Sequence, residues 1–103
     1  MSVHNPLTTT MMRAIKEIEK ESVPTLRFPN EEVLTSKEAK VNRMLCLKRA
    51  SVLGNIDHTK MKIIFKDSDG VKKVNTTVWA QTEKYVVLKG FSLIPLNRIL
   101  DVY

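Results

Sequence analysis

The chain has 103 residues, of which 43% are hydrophobic and 27% are charged, and its formal net charge is +6. This length suits one domain with a modest core, and the composition is typical of a globular rather than a disordered chain. No apolar run is long enough to span a membrane, the start lacks the apolar stretch of a signal peptide, and the single cysteine excludes an internal disulfide. We therefore expect a cytoplasmic protein of bacterial type that has no membrane segment.

The positive charge lies mainly in the C-terminal two thirds of the chain. Residues 1–35 carry 4 basic and 5 acidic side chains, residues 36–58 carry 5 and 2, and residues 59–103 carry 8 and 4. Such an excess is compatible with a polyanionic partner. It is also typical of a surface that only keeps a protein in solution.

The first half of the chain is predicted to contain two helices joined by an extended linker. In "TTTMMRAIKEIEKE", Met11, Ile15 and Ile18 recur at helical spacing behind threonines that can cap a helix. Pro24 and Pro29 break any helix in the segment that follows. Because so short a helix is marginal alone, we expect its apolar side to dock on the rest of the domain or on another copy.

The second helix is predicted over "TSKEAKVNRMLCLKRASVLGN". Thr35 and Glu38 have the spacing of a capping box, and Gly54 is placed to end the helix in a left-handed conformation. A strand over residues 44–53 is the alternative, and poor alternation there favours the helix. The side chains expected to face inward are Val41, Met44, Leu45, Val52 and Leu53.

Residues 59–103 are predicted to be all β. "KMKIIFKD" alternates, with Met61, Ile63 and Phe65 on one face, and "DSDG" is a turn. A long strand follows in "VKKVNTTVWAQ", and shorter strands are expected in "YVVLKG", "FSLIPL" and "ILDVY". Because five short strands make a poor flat sheet, we expect them to close into a small barrel that a helix covers.

The pattern of "VWAQTEKYVVLKG" followed by "IPLNRILDV" resembles the SH3-like or Sm-like class of small β-barrels. It is also similar to the Rho-binding antiterminator type of barrel, and "VNTTVWAQTEKYVVLKGFSLIPLNRI" is similar to short bacterial proteins. The resemblance covers about 45 of the 103 residues and implies the barrel alone. Together with the helices predicted above, we expect an α+β fold packed as one compact domain. In it, N-terminal helices and a linker over residues 1–58 precede a five-stranded antiparallel barrel over residues 59–103. The nucleotide-pocket positions of Sm-like proteins have no match here, so no binding residue is carried over.

No catalytic or metal-binding constellation stands out in the sequence. His58 follows Asp57, but adjacent side chains usually point apart, and Asp67 and Asp69 lie in a stretch typical of a hairpin turn rather than of a calcium loop. Cys46 lies in an apolar run, where a buried and inert thiol is the ordinary interpretation. We therefore expect a protein that is not an enzyme and uses neither metal nor cofactor.

The expected function is that of a small binding module. A protein-interaction or regulatory role comes first, because barrel edges can accept a partner's strand and the stripe of Met11, Ile15 and Ile18 could join another copy. The alternative partner is RNA or DNA, held by stacking on Trp79 within a basic face. The candidate residues for that alternative are Lys62, Lys73, Trp79 and Lys84, with Tyr85, Phe91 and Tyr103 expected near Trp79.

Overall fold

The computed structural model describes residues 15–103. Their strands are β1 (Lys16–Ile18), β2 (Lys60–Lys66), β3 (Val71–Gln81), β4 (Tyr85–Leu88), β5 (Leu93–Pro95) and β6 (Ile99–Val102). Their helices are one α-helix, α1 (Lys37–Asp57), and two 3-10 helices, η1 (Lys20–Thr25) and η2 (Leu96–Arg98).

The strands form one sheet in the order β5-β4-β3-β2-β6, in which all neighbours are antiparallel. β3 is central because its length lets it pair with β2 along one edge and with β4 along the other. β1 runs parallel to β3 and pairs with residues 72–74, on the edge that β4 occupies further along. Over residues 15–103 the sheet therefore has six strands rather than the predicted five.

The predicted closed barrel is wrong, because the sheet is open and β5 and β6 are its two edges. These strands have three and four residues, and each edge is protected in another way. Pro95 supplies no N–H donor in β5, and the Arg43 guanidinium donates to the Ile99 carbonyl of β6 at 3.0 Å. Short edge strands with a missing donor or a covering side chain resist pairing with other chains, so the sheet does not have to close into a barrel to protect its edges.

The predicted first helix is also wrong over the part that the structure describes. Residues 16–18 form β1, and η1 follows almost at once. Pairing with the edge of β3 satisfies backbone groups that a short, marginal helix would have had to satisfy alone. Ile18 then packs against the core. The beginning of that predicted helix, with Met11, lies outside the described residues.

The predicted second helix is confirmed, and no strand occurs over residues 44–53. Its N-cap is Ser36 rather than Thr35, since the Ser36 hydroxyl accepts the Ala39 N–H at 3.0 Å. The helix continues past Gly54 and ends at His58, whose φ of 54° is left-handed. The C-cap was thus predicted in kind but four residues too early.

α1 packs against the sheet through a face that the sequence did not indicate. Its buried residues are Ala39, Leu47, Ala50 and Gly54. A Cβ atom on Gly54 would lie 2.1 Å from the Val78 carbonyl oxygen, so the helix backbone touches β3 directly. Small residues permit this close approach, and Leu47 and Ala50 complete the core that β2, β3 and β4 build.

The predicted inward stripe of α1 is wrong. Four of its five members, Val41, Met44, Leu45 and Val52, are 39% to 57% exposed, and Leu53 is half-buried. Hydrophobic spacing identified an apolar side of the helix, but side-chain size decided which side could approach the sheet.

Polar bonds fix the linker between η1 and α1 to the end of the sheet. The buried Arg98 guanidinium donates to the carbonyls of Lys66 at 2.9 Å and Glu31 at 2.8 Å. Arg43 forms a two-pronged ion pair with Glu32. The predicted extended linker, residues 22–33, is wrong at its start, because residues 22–25 belong to η1 and Pro24 lies inside that 3-10 helix. The two arginines hold the rest of the linker in place.

Candidate interaction surfaces

The structure does not gather the four residues predicted to bind nucleic acid. Lys73 lies six residues before Trp79 on β3, which is about 20 Å along a strand, and Lys62 is paired with Asn75. Lys84 lies in the turn between β3 and β4 and lines a pocket together with Tyr85 and Leu93. Of the three lysines, Lys62 and Lys73 therefore do not lie beside Trp79.

The residues predicted to mediate protein contacts are also placed differently from the prediction. Ile15 and Ile18 are half-buried, and Ile18 packs against the core from β1. Met11 lies outside the described residues. These positions do not form a helical stripe in the part of the chain that the structure describes.

Trp79 stands on a β-bulge. Val78 pairs with Leu88 and Ala80 pairs with Val87, so Trp79 is the extra residue between two regular pairs. Bulges re-aim side chains, and Trp79 is 38% exposed although the preceding Val78 is fully buried. The side-chain amide of Asn55 in α1 donates to the Trp79 carbonyl at 2.9 Å, which fixes the bulge to the helix.

Phe91 stands on a second irregularity of the backbone, in the turn between β4 and β5. Its φ is 68°, a left-handed value that costs a residue with a bulky side chain about 1–2 kcal/mol. The Phe91 N–H donates to the Leu88 carbonyl at 2.8 Å and closes the turn. Because Phe91 remains 74% exposed, burial of its ring does not offset this strain.

The two rings meet edge to face, with centroids 5.8 Å apart and an interplanar angle of 72°. Next to them, the register places Ala80, Val87 and Leu93 in one row across β3, β4 and β5. Tyr85 precedes Val87 by two residues and shares its side of the sheet. We define the aromatic face as Trp79, Ala80, Tyr85, Val87, Phe91 and Leu93.

Two lysines border the aromatic face at Phe91. Lys89 is exposed, and its N–H donates to the Thr77 carbonyl at 2.9 Å. A Cβ atom on Gly90 would lie 3.9 Å from Lys20 Cε. The expected proximity of Phe91 to Trp79 is confirmed, whereas no local pattern indicated that Lys20, 71 positions before Phe91, would join them.

A second apolar surface lies on α1, on the side opposite the sheet. Its members are Val41, Leu45, Val52 and Ile56, with exposed fractions of 52%, 57%, 56% and 70%, and we call them the aliphatic stripe. Beside it, a groove of about 770 Å³ runs between Met44 and Val52 of α1 and the turn that follows β3. Gln81 lies in this groove, and its Oε1 is buried and has no hydrogen-bond partner.

The surroundings of Asp67 and Cys46 shift the pKa values of these two side chains in opposite directions. Burial would raise the pKa of Asp67, but hydrogen bonds from Lys72 and from the N–H groups of Asp69 and Gly70 outweigh it and lower that pKa. Burial raises the pKa of the Cys46 thiol, and the nearby charge of Asp101 raises it further. Cys46 is therefore protonated at neutral pH, which makes it a poor nucleophile.

Within residues 15–103, no group of three or more His, Cys, Asp or Glu side chains is arranged to hold a metal ion. In the same residues, no helix is both long and apolar enough to cross a membrane. Comparisons of the chain with protein-family models, curated proteins and solved structures gave no match. The resemblance to SH3-like and Sm-like proteins stays a prediction, and the surfaces must be interpreted from their own geometry.

Proposed function

We propose that this protein is a non-enzymatic binding module that recognises another protein through the aromatic face. The observation that supports this proposal is the exposed pair of Trp79 and Phe91. Two separate backbone irregularities, the β-bulge at Trp79 and the positive φ at Phe91, hold these rings at the surface. Strain that burial does not offset is concentrated at functional sites in proteins. Tryptophan and tyrosine, both present in this face, are also the residues that most often dominate the energy of protein interfaces.

The composition of the aromatic face favours a protein over a nucleic acid. All six of its members are uncharged, and aromatic residues are enriched at protein interfaces whereas lysine is depleted there. Strand addition at an edge is a less suitable mode of binding, because β5 is short and contains Pro95. Recognition therefore occurs through side chains on the face of the sheet, with Trp79 and Phe91 as the anchors.

Single-stranded nucleic acid is the second candidate, and the positions of Lys20 and Lys89 favour it. They place two positive charges beside an exposed aromatic pair, which is the combination that binds bases by stacking and phosphates by charge. This candidate differs from the first in its dependence on salt, because phosphate contacts release counterions.

Selection of short peptides from a displayed random library tests the proposal, with Trp79 fluorescence as the readout since Trp79 is the only tryptophan. We expect apolar or aromatic peptides that change this fluorescence. Phe91→Gly, which suits the left-handed backbone, should weaken their binding about 30-fold, the effect of losing an interface anchor. Lys66→Ala, a change at an exposed residue of β2, is the control and should leave binding unchanged.

A parallel titration with single-stranded RNA at low and physiological salt separates the two candidates. If RNA quenches the fluorescence of Trp79 with a steep dependence on salt, and if the Lys89→Ala variant shows weaker quenching, these two results together would support the nucleic-acid function instead. If the selected peptides bind the Phe91→Gly variant as tightly as they bind the unchanged protein, this result would contradict the role of the aromatic face.

A further inference from the structure

The aliphatic stripe of α1 is a surface that folding of residues 15–103 leaves unused. At 100° per residue its four members span about 60° of the helix circumference, and they extend about 22 Å along the axis. They lie opposite Leu47, Ala50 and Gly54, which contact the sheet. Single exposed aliphatic residues are ordinary on protein surfaces, but an aligned row more than half exposed at every position marks an interaction site.

We propose that the aliphatic stripe binds an amphipathic helix of a partner protein, and that acidic residues border the apolar side of that helix. The surface is independent of the aromatic face. A straight row at helical spacing is the geometry that a second helix packs against with its own i, i+3 and i+4 side chains. The groove beside Met44 and Val52 provides a wall along one side, so the partner helix lies lengthwise on α1.

The charges of α1 specify the acidic border. At 100° per residue, three exposed basic residues and one acidic residue border the stripe, namely Lys37, Lys48, Arg49 and Glu38, whereas Lys40 and Asp57 lie towards the sheet. Along the axis, Lys48 lies between Leu45 and Val52. Acidic side chains on the partner would pair with these basic groups, in the way that flanking charges choose partners in helix pairs.

The same charges disfavour a second copy of this chain as the occupant. The stripe is symmetric about the point between residues 48 and 49, so an antiparallel pair would match Val41 with Ile56 and Leu45 with Val52. That arrangement also places Lys48 of each copy opposite Arg49 of the other at the centre. Like charges facing each other across an interface select against that pairing.

The test uses the full chain and two labelled helical peptides of about 18 residues, long enough to cover the stripe. The peptides share one apolar side, which is bordered by glutamate in one and by lysine in the other. We expect fluorescence anisotropy to show that the glutamate-bordered peptide binds at least about tenfold more tightly. The double variant Leu45→Gln, Val52→Gln should weaken this binding about tenfold or more, because it removes the centre of the stripe.

Two further variants make the test specific. Leu93→Gln makes the same kind of change on the aromatic face and should leave peptide binding intact. Lys48→Glu combined with Arg49→Glu should reverse the preference between the two peptides. All these positions are exposed, so circular dichroism should show unchanged folding.

Three results would overturn the proposal. Equal binding of both peptides would contradict the acidic border of the partner helix. Absence of binding at millimolar peptide would contradict a helical partner altogether. The protein alone could also sediment as a dimer while the Leu45→Gln, Val52→Gln variant sediments as a monomer. That result would show that the occupant is a second copy.

Discussion

Replacing Gly54 by alanine tests how α1 is oriented on the sheet, on which both surfaces depend. An added Cβ would lie 2.1 Å from the Val78 carbonyl oxygen and 3.0 Å from Thr77 Cγ2, whereas real Cβ atoms essentially never approach closer than 3.0 Å. The helix or β3 must therefore move by about 1 Å. The obstructing atom belongs to the backbone of the central strand, so a change of side-chain rotamer cannot relieve the contact.

The expected effect has the opposite sign to that of an exposed helical glycine. Alanine gains about 1 kcal/mol in helix propensity, and overpacking costs about 3 kcal/mol at the upper end of its usual range. The net loss of about 2 kcal/mol should lower the melting temperature of a domain this size by about 8–16 °C. Thermal unfolding followed by circular dichroism measures it.

Ser51→Ala is the matched control for this experiment, because it places alanine at a half-buried position of the same helix without adding a carbon atom. Its free energy of unfolding should change by no more than about 0.5 kcal/mol. A melting temperature of Gly54→Ala that rises, as propensity alone would require, would refute the packing of α1 through its small residues. The aliphatic stripe would then not face solvent.

The remaining predictions concern single side chains. Asp67 has a lowered pKa, so its contribution to stability should be complete above the unfolded-state pKa of about 3.9 and be lost as pH falls through the lower folded pKa. The Asp67→Asn variant should therefore have a lower urea midpoint than the unchanged protein at pH 7, and the difference should be much smaller at about pH 2. Arg98→Met leaves the Lys66 and Glu31 carbonyls without their donor and should cost about 2–4 kcal/mol in urea unfolding. Phe91→Gly should keep or raise the melting temperature, by up to about 5 °C, because glycine adopts a positive φ freely; a fall of that size would show that the turn is not strained. Trp79→Ala should retain the fold by circular dichroism and lose peptide binding, and unfolding of this variant would mean that Trp79 is needed for the core.

Much of the local structure follows from sequence pattern. The boundaries of β3 were predicted to the residue, because "DSDG" and "TEK" bracket eleven residues of high strand preference. The inward face of β2, with Ile63 and Phe65, followed from simple alternation, and both are fully buried. Helix α1 was also expected, although its caps were displaced by one residue at the start and four at the end.

Of the candidate surfaces, the sequence indicated only isolated members. Trp79 was expected on the polar side of β3, and there it is exposed, but the bulge that isolates it arises from pairing with β4. Of the lysines named with it, Lys73 lies about 20 Å away along β3 and Lys62 lies on β2. Lys20 reaches Gly90 only because β1 and η1 pack beside the sheet, a contact between distant parts of the chain that no local pattern encodes.

The sequence by itself determined where α1 and the strands of the C-terminal half lie, because capping, turn and alternation preferences act over a few residues. Only the tertiary structure decided that the sheet stays open, that residues 16–18 join it as a strand, and which side of α1 is buried. Those outcomes depend on how closely two backbones can approach. Gly54 and Ala50 allow the closest approach and therefore face the sheet, whereas the larger Val41, Leu45, Val52 and Ile56 remain at the surface.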